Sequence, residues 1–332
     1  MEQCTSETVA RYHADLLSRF GAMERGYDLT GGFGVDARFL ATRCRRFVYC
    51  ERDEELARIA AHNFEAFGES AIETQTGNGI EILDREAEPI DFVFVDPARR
   101  DARHYKVSAF EDCEPNLLEH WAALRERTHL LMVKASPGLD LSLGVSQLPG
   151  VSEVHVIAVD NECKELLFVS DRNSDCANVV VRCVDLNGRG GAETFDFTLA
   201  EEAALEAAVD WPKRYLYEPN AAILKAGAFK SIARRFGLAA LHPRTRLYSS
   251  EERLDDFPGR VLEIQGQGQL SAKTARRLFP DRQANVISRN SGLTADALRR
   301  KLGLKDGGER FAVGATLADG GRQLFACRLA LR

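Results

Sequence analysis

The run Ile90-Asp91-Phe92-Val93-Phe94-Val95 constrains this chain more than any other segment. Its apolar residues do not alternate with polar ones, so a strand built from it is covered on both faces rather than on one. His129-Leu130-Leu131-Met132-Val133-Lys134 repeats the pattern forty residues later, after a helix over about Pro115 to Arg127. Upstream, a helix spans about Thr5 to Phe20 with Thr5 or Ser6 as its cap. A short strand follows at Tyr27-Asp28-Leu29, then a glycine turn, a helix over Val35 to Arg43 and a strand at Phe47 to Cys50. Asp53 to Phe67 carries apolar residues at helical spacing, and Ile72 to Gln75 is a third strand. Repeated strand-helix units of this length predict right-handed crossovers and a parallel sheet with helices on both faces.

The rhythm changes after about Gly150. Val154 to Val159 and Glu165 to Val169 are separated by a polar turn too short for a helix and read as an antiparallel hairpin, with a further strand at Val179 to Val184. The glycine-rich Asn187-Gly188-Arg189-Gly190-Gly191 reads as a boundary. Beyond it, helices at about Ala200 to Val209, Asn220 to Lys225, Phe229 to Phe236, Ala272 to Leu278 and Thr294 to Leu302 mix with strands at Val261 to Gln265 and Ala284 to Arg289. Two final strands meet at Asp319-Gly320-Gly321. The expected division is therefore a Rossmann-like α/β domain over 1–185, a linker and small module over 186–258, and an α+β domain over 259–332.

Composition narrows the class. With 332 residues, 45% hydrophobic and 28% charged, the chain has the balance of a globular protein. Its 44 Lys and Arg against 50 Asp and Glu leave −6, which argues against coating nucleic acid by bulk positive charge. Eight scattered cysteines show no Cys-x-x-Cys pair or Cys/His ligand spacing, so reduced thiols are expected and no metal. The first residues lack a basic start and apolar core, and no apolar stretch is long enough to cross a bilayer, so a cytoplasmic location is expected.

The chemistry begins at Asp28-Leu29-Thr30-Gly31-Gly32-Phe33-Gly34-Val35-Asp36, between a strand and a helix, where glycines let the backbone approach a ligand beside free helix N–H groups. Gly32-x-Gly34-x-x-Ala37, with Glu51 ending the next strand, fits the dinucleotide fingerprint. Asp28, Gly32 and Gly34 equally make D-x-x-x-G-x-G, the first motif of class I S-adenosylmethionine (SAM) methyltransferases. A tight turn with no ligand is the bland alternative. Asp96-Pro97-Ala98-Arg99 discriminates, because it follows the fourth strand where such methyltransferases carry D/N-P-P-x, and a dehydrogenase has no need of it. An ordinary polar turn is the plain alternative there.

In these segments the chain resembles the bacterial THUMP-like-domain class I SAM-dependent methyltransferases. The resemblance is carried by DLTGGFGVD (28–36), YCERD (49–53), HNF (62–64), VDPARRD (95–101), DCEP (112–115), KASPGLD (134–140) and ECKELL (162–167). It continues through YLYEPNAAILKAGAFKSIARRFGL (215–238) and LRRKLGLKDGGERFAVGATLADGG (298–321). Two departures stand out: the helical region that such proteins commonly carry before the core is expected to be shortened or absent here, and the lead-in Met23-Glu24-Arg25-Gly26-Tyr27 is more polar than a buried first strand. The resemblance implies that Asp28, Thr30, Gly31, Gly32 and Gly34 surround the methionine end of SAM and that Glu51 accepts from its ribose hydroxyls. Asn78 would meet the adenine edge, or else cap the following helix. Asp96, followed by Pro97, would stand at the methyl-transfer centre as amine acceptor or base. Arg99 and Arg100 are candidates for a substrate phosphate or carboxylate, or for surface ion pairs with Asp101 or Glu111. Lys134 and Ser136 line the same edge, unless they serve as helix cap and solvated surface.

The last third suggests the substrate. Ser271 to Lys301 holds Lys273, Arg276, Arg277, Arg282, Arg289, Arg299, Arg300 and Lys301 against Asp281 and Asp296. Lys225, Lys230, Arg234, Arg235, Arg244 and Arg246 form a second basic stretch, interleaved with Phe229, Phe236 and Tyr248. Such patches attract phosphate backbones and aromatic faces stack on unpaired bases, although a solvated helix face with core aromatics produces the same pattern. Because THUMP modules present RNA to attached enzymes, the expectation is methylation of structured RNA, tRNA or rRNA. The alternatives are a small-molecule or protein substrate, or a non-catalytic RNA binder that retains SAM.

Overall fold

Short polar caps start most of the helices. In a computed structural model, which describes residues 4–99, 110–188 and 190–331, Ser6 caps α1 (Glu7–Ser18), Asp53 caps α3 (Glu54–Phe67), Asn78 caps α4 (Gly79–Asp84), Asn116 caps α5 (Leu117–Arg127) and Asp140 caps α6 (Leu141–Gln147). Each side chain satisfies an N–H that the helix leaves unpaired. The remaining helix of this part, α2 (Val35–Ala41), starts from Gly34. Contacts divide the chain into two units, Met1–Leu199 and Ala200–Arg332.

The first unit is built on strands β1 (Met23–Asp28), β2 (Cys44–Glu51), β3 (Ile72–Thr76), β4 (Ile90–Val95), β5 (Thr128–Ala135), β6 (Glu153–Val159), β7 (Glu162–Asp171), β8 (Val180–Leu186) and β9 (Ala192–Thr198). They form one sheet in the order β9-β8-β6-β7-β5-β4-β1-β2-β3. The pairs from β3 through β2, β1 and β4 to β5 are parallel, whereas β7 runs antiparallel to both β5 and β6. Phe92, Val93, Phe94 and Val95 are fully buried, as an unalternated central strand demands. The core on one face joins Leu17, Leu40, Phe47, Tyr49, Phe64 and Phe94.

The polar first strand finds its place through specific bonds. The N–H groups of Glu24 and Arg25 both donate to Asp91 Oδ2 at 2.9 Å, and Arg25 pairs with Glu86. Gly26 is obligatory, since a Cβ there would lie 2.7 Å from Cys44 Sγ and 2.9 Å from the Phe47 ring. At the expected boundary, β8 and β9 pair as a hairpin, where the Asn187 N–H donates to the Gly191 carbonyl and the Gly191 N–H to Asn187 Oδ1. The helix expected over 200–209 stops at α7 (Leu199–Ala204), because that segment has no buried apolar face to hold it.

The second unit has a seven-stranded sheet of β10 (Tyr215–Pro219), β11 (Ala239–Ala240), β12 (Tyr248–Ser250), β13 (Gly259–Gln269), β14 (Asn285–Arg289), β15 (Arg310–Thr316) and β16 (Arg322–Leu331), in the order β11-β12-β10-β13-β16-β15-β14. Only β14 and β15 pair in parallel. Helices α8 (Ala221–Ala226) and α9 (Phe229–Arg235) follow β10, and α10 (Ala272–Leu278) and α11 (Ala295–Leu302) supply Ala275, Leu298 and Leu302 to a core with Phe279, Leu304 and Leu324.

Candidate active site

Parallel strands end their chains at one edge, where side chains and free helix N–H groups from several loops converge. Here that edge opens into a cleft of about 1380 Å³. Thr30 after β1, Glu51 at the end of β2, Asn78 after β3, Asp96 and Pro97 after β4, and Lys134 to Ser136 at the end of β5 all line it. The sequence-derived candidates Thr30, Gly32, Glu51, Asn78, Asp96, Pro97 and Lys134 therefore share one site.

The glycine turn divides its labour. A Cβ at Gly31 would collide with the Tyr49 ring, and Gly34, at φ +76°, lies against Phe64; these two serve packing. Gly32, at φ +54°, is the one of the three that lines the cleft, and the nearest atom to a Cβ there is 3.9 Å away, so a side chain would enter the open space. Its N–H donates to Glu51 Oε2, and the Asp53 N–H donates to Glu51 Oε1, both at 2.8 Å. Those bonds orient the Glu51 carboxylate and leave acceptor capacity for further donors.

Asp28 takes a different place from the one expected. It is fully buried and does not line the cleft; its Oδ1 accepts from the Thr30 N–H at 2.9 Å. Burial, with Asp36 and Asp96 nearby, pushes it up to about 8 against the help of that hydrogen bond. Thr30 carries the link onward, since the Asp96 N–H donates to Thr30 Oγ1 at 2.6 Å. Asn78 caps α4, its Oδ1 accepting from Ile80 N–H at 2.9 Å, while the residue still lines the cleft. Arg100 and Asp101 lie outside the described residues. For Arg99 only the backbone is described, as part of a two-residue ladder that joins Ala98–Arg99 to Cys113–Glu114.

Lys134 turns inward rather than toward a substrate anion. Its Nζ lies 2.5 Å from Asp96 Oδ2, 2.8 Å from Thr5 Oγ1 and 3.5 Å from Asp36 Oδ2. Burial opposes its charge, but Asp96 first, then Asp36 and Glu165, outweigh burial and hold the ammonium protonated. Asp96 is raised by burial and held in check by Lys134. Behind this pair sits His13, fully buried, with Nδ1 at 2.9 Å from Asp36 Oδ1 and Nε2 at 2.6 Å from Glu165 Oε1. Burial alone would lower His13; Glu165 and Asp36 overcome it and raise it to about 10. Asp36, despite burial, is lowered to about 2 by His13, Lys134 and Thr5. Asp36 and Glu165 lie in segments that carry the family resemblance but have no role assigned by it, and His13 belongs to no motif. A histidine on the inner face of an amphipathic helix was the available signal.

Among the described residues no group of three or more His, Cys, Asp or Glu is placed to hold a metal, and no helix is long and apolar enough to cross a membrane. The cleft offers a set of acceptors, Glu51, Asp53, Asn78 and Asp96, beside a glycine whose missing side chain leaves room. That set fits SAM, which carries ribose hydroxyl, amine and sulfonium groups.

Fold and cleft together define an α/β methyltransferase. Residues 215–258 match a ferredoxin-like domain model and residues 259–329 a THUMP domain-like model. The chain is 34% identical to a crystal structure described as a "putative methyltransferase" from Porphyromonas gingivalis W83, covering 99% of this chain and 82% of that one with a TM-score of 0.89. It is also 25% identical over 310 residues to an uncharacterized S-adenosylmethionine-dependent methyltransferase of Mycobacterium tuberculosis, found in strains H37Rv and CDC 1551, covering 92% of this chain and 80% of the relative. The chain belongs to the bacterial THUMP-like-domain class I SAM-dependent methyltransferases, and its cofactor is SAM.

The basic stretches of the second unit sort by exposure. Arg282 donates to the carbonyls of Leu302 and Gly303 at the end of α11, and Arg289 pairs with buried Glu218, so both are structural. Lys273 and Arg276 on α10 and Arg300 and Lys301 on α11 are exposed on helices that pack together. The aromatic residues do not act as platforms: Tyr248 is buried and donates to the Phe229 carbonyl, Phe236 packs on Phe257, and the Arg246 guanidinium covers the Phe229 ring at 3.4 Å.

Proposed function

We propose that the protein methylates structured RNA, tRNA or rRNA, with the first unit transferring the methyl group and the THUMP-like module holding phosphates. The observation that carries this reading is the exposed cationic set Lys273, Arg276, Arg300 and Lys301 on two neighbouring helices of a module whose sequence matches a THUMP domain-like model. SAM supplies an electrophilic methyl group. Glu51 accepts from the ribose hydroxyls, Asn78 meets the adenine edge, and Thr30, Gly31, Gly32 and Gly34 shape the turn beneath the methionine end, with Asp28 acting through Thr30. Asp96 accepts a hydrogen bond from the acceptor group and aims its lone pair, Pro97 fixes the backbone beside it, and Lys134 holds Asp96 rather than a phosphate. Arg99 and Arg100 remain assigned to a substrate phosphate or carboxylate. The cleft lining itself is acidic, with Glu51, Asp53, Asp96, Glu114, Glu119 and Glu165 against Arg52, Lys134 and Lys164. An uncharged base or an amine suits such a mouth better than a phosphate does.

Incubation of the protein with labelled SAM and unmodified total tRNA or rRNA tests the reading. Incorporation that is lost in Asp96→Ala supports it, together with binding that weakens as salt rises. RNA binding without incorporation points to a non-catalytic binder, and absence of RNA binding points to a small-molecule or protein acceptor.

A further inference from the structure

Five ionisable side chains from five different segments meet behind the methyl-transfer point: His13 of α1, Asp36 of α2, Asp96 after β4, Lys134 of β5 and Glu165 of β7. Both ring nitrogens of His13 face carboxylate oxygens, at 2.9 and 2.6 Å. Two ionised acceptors need two donated protons, so the ring is an imidazolium. Moving that proton onto a carboxylate leaves the sum unchanged. Three carboxylates against an ammonium and an imidazolium leave one negative charge. Asp28, the other acid beside the cluster, is pushed up to about 8 by its burial, which favours its neutral form.

The cluster has one opening. Asp96 is 38% exposed at its side chain, whereas Lys134, Asp36, Glu165 and His13 are at most 10% exposed. Bringing three anions together with only two cations in so enclosed a place is costly. The surplus faces the cleft through Asp96.

We propose that this cluster is a charge sensor for the cofactor: its surplus negative charge, delivered at Asp96 and held by Lys134, His13, Asp36 and Glu165, makes the protein prefer SAM to its product S-adenosylhomocysteine. SAM carries a sulfonium and the product a neutral thioether. Methyl transfer breaks the carbon–sulfur bond, leaves its electron pair on sulfur and forms a carbon–acceptor bond, and the acceptor finally sheds a proton to water. The cation that balances the cluster disappears with the reaction, so the product leaves more readily than the substrate. The inference rests on the assignment of the cleft as the SAM site.

Calorimetric titration of the full-length protein with SAM, S-adenosylhomocysteine and sinefungin, whose ammonium stands where SAM has its sulfonium, tests it without an acceptor. One unit charge acting through partly buried protein is worth a factor of about ten in affinity. The two cationic ligands should therefore bind the wild type about tenfold tighter than S-adenosylhomocysteine. In Glu165→Gln, which keeps one acceptor oxygen for His13 and removes a charge, the ratio should fall toward one while affinity for S-adenosylhomocysteine holds, and in Asp96→Asn the ratio should fall likewise. A merely structural cluster would shift all three ligands together. Equal or tighter binding of S-adenosylhomocysteine by the wild type overturns the proposal and leaves the SAM site standing, as does an unchanged ratio in the variants. No binding of any of the three overturns the site itself.

Discussion

His13 offers the sharpest test of the buried cluster. Its ordinary value of 6.5 is raised to about 10 because Glu165 and Asp36 outweigh its burial. Below pH 6.5 both the folded and unfolded chains hold the proton, and the full stabilisation is present. Between 6.5 and 10 the unfolded chain has released it while the folded chain keeps it, so stability falls by about 1.4 kcal/mol per pH unit. From pH 6.5, where the unfolded chain is half deprotonated, to 8.5 that amounts to about 2 kcal/mol. His13→Gln leaves Asp36 and Glu165 buried without their cation and should cost about 3–5 kcal/mol at pH 6.5. The variant has no such titration, so the gap between it and wild type should narrow by about 2 kcal/mol by pH 8.5. Urea unfolding followed by the fluorescence of buried Trp121, in a Trp211→Phe background that silences the exposed second tryptophan, reports on the first unit alone. A gap that stays constant across this range would refute the imidazolium assignment.

Further consequences divide by residue. Glu51→Gln should weaken SAM binding about tenfold, whereas Asp28→Asn, replacing a buried and neutral acid, should change it by no more than about threefold; titration calorimetry separates the two. Gly32→Val places a side chain in the cleft at a left-handed backbone position and should abolish SAM binding in a folded protein. Gly31→Ala should lower thermal stability by about 1–3 kcal/mol through the Tyr49 ring. Replacing Lys273, Arg276, Arg300 and Lys301 together by Ala should reduce the slope of log affinity for tRNA against log salt by about 3, read by filter binding. Phe94→Ala should cost about 3–5 kcal/mol in chemical unfolding, because that ring is fully buried in the central strand.

What was legible in the sequence followed from local rules. The unalternated β4, the capped helices and the Asp-Pro step are written in neighbouring residues, and the cleft-lining set of Thr30, Gly32, Glu51, Asn78, Asp96 and Pro97 came with them. The glycine-rich turn read as a boundary and the overlong helix near 200–209 have one cause: a glycine-rich turn and an alanine-rich run look alike whether or not something packs against them. Tyr215–Pro219 is illegible as a strand because only three residues precede Glu218 and Pro219, and the buried Glu218 is tolerated there through Arg260 and Arg289, which are distant in sequence. Asp28 and Lys134 had the right addresses and the wrong directions. Which way a side chain turns at a strand end depends on partners far away in sequence, such as Thr5 for Lys134.

The same long-range dependence explains how one chain at −6 can serve the proposed reaction. Bulk charge repels phosphate, yet exposed cations on α10 and α11 form a local exception, and acids concentrate around the cleft instead. A sulfonium is stabilised by negative surroundings and an RNA backbone by positive ones, so the two demands cannot be met on one surface. Placing them on two different units satisfies both. On this reading the first unit's acidity is a requirement of the cofactor chemistry, and Glu165→Gln should alter cofactor discrimination while leaving the salt dependence of RNA binding as it was.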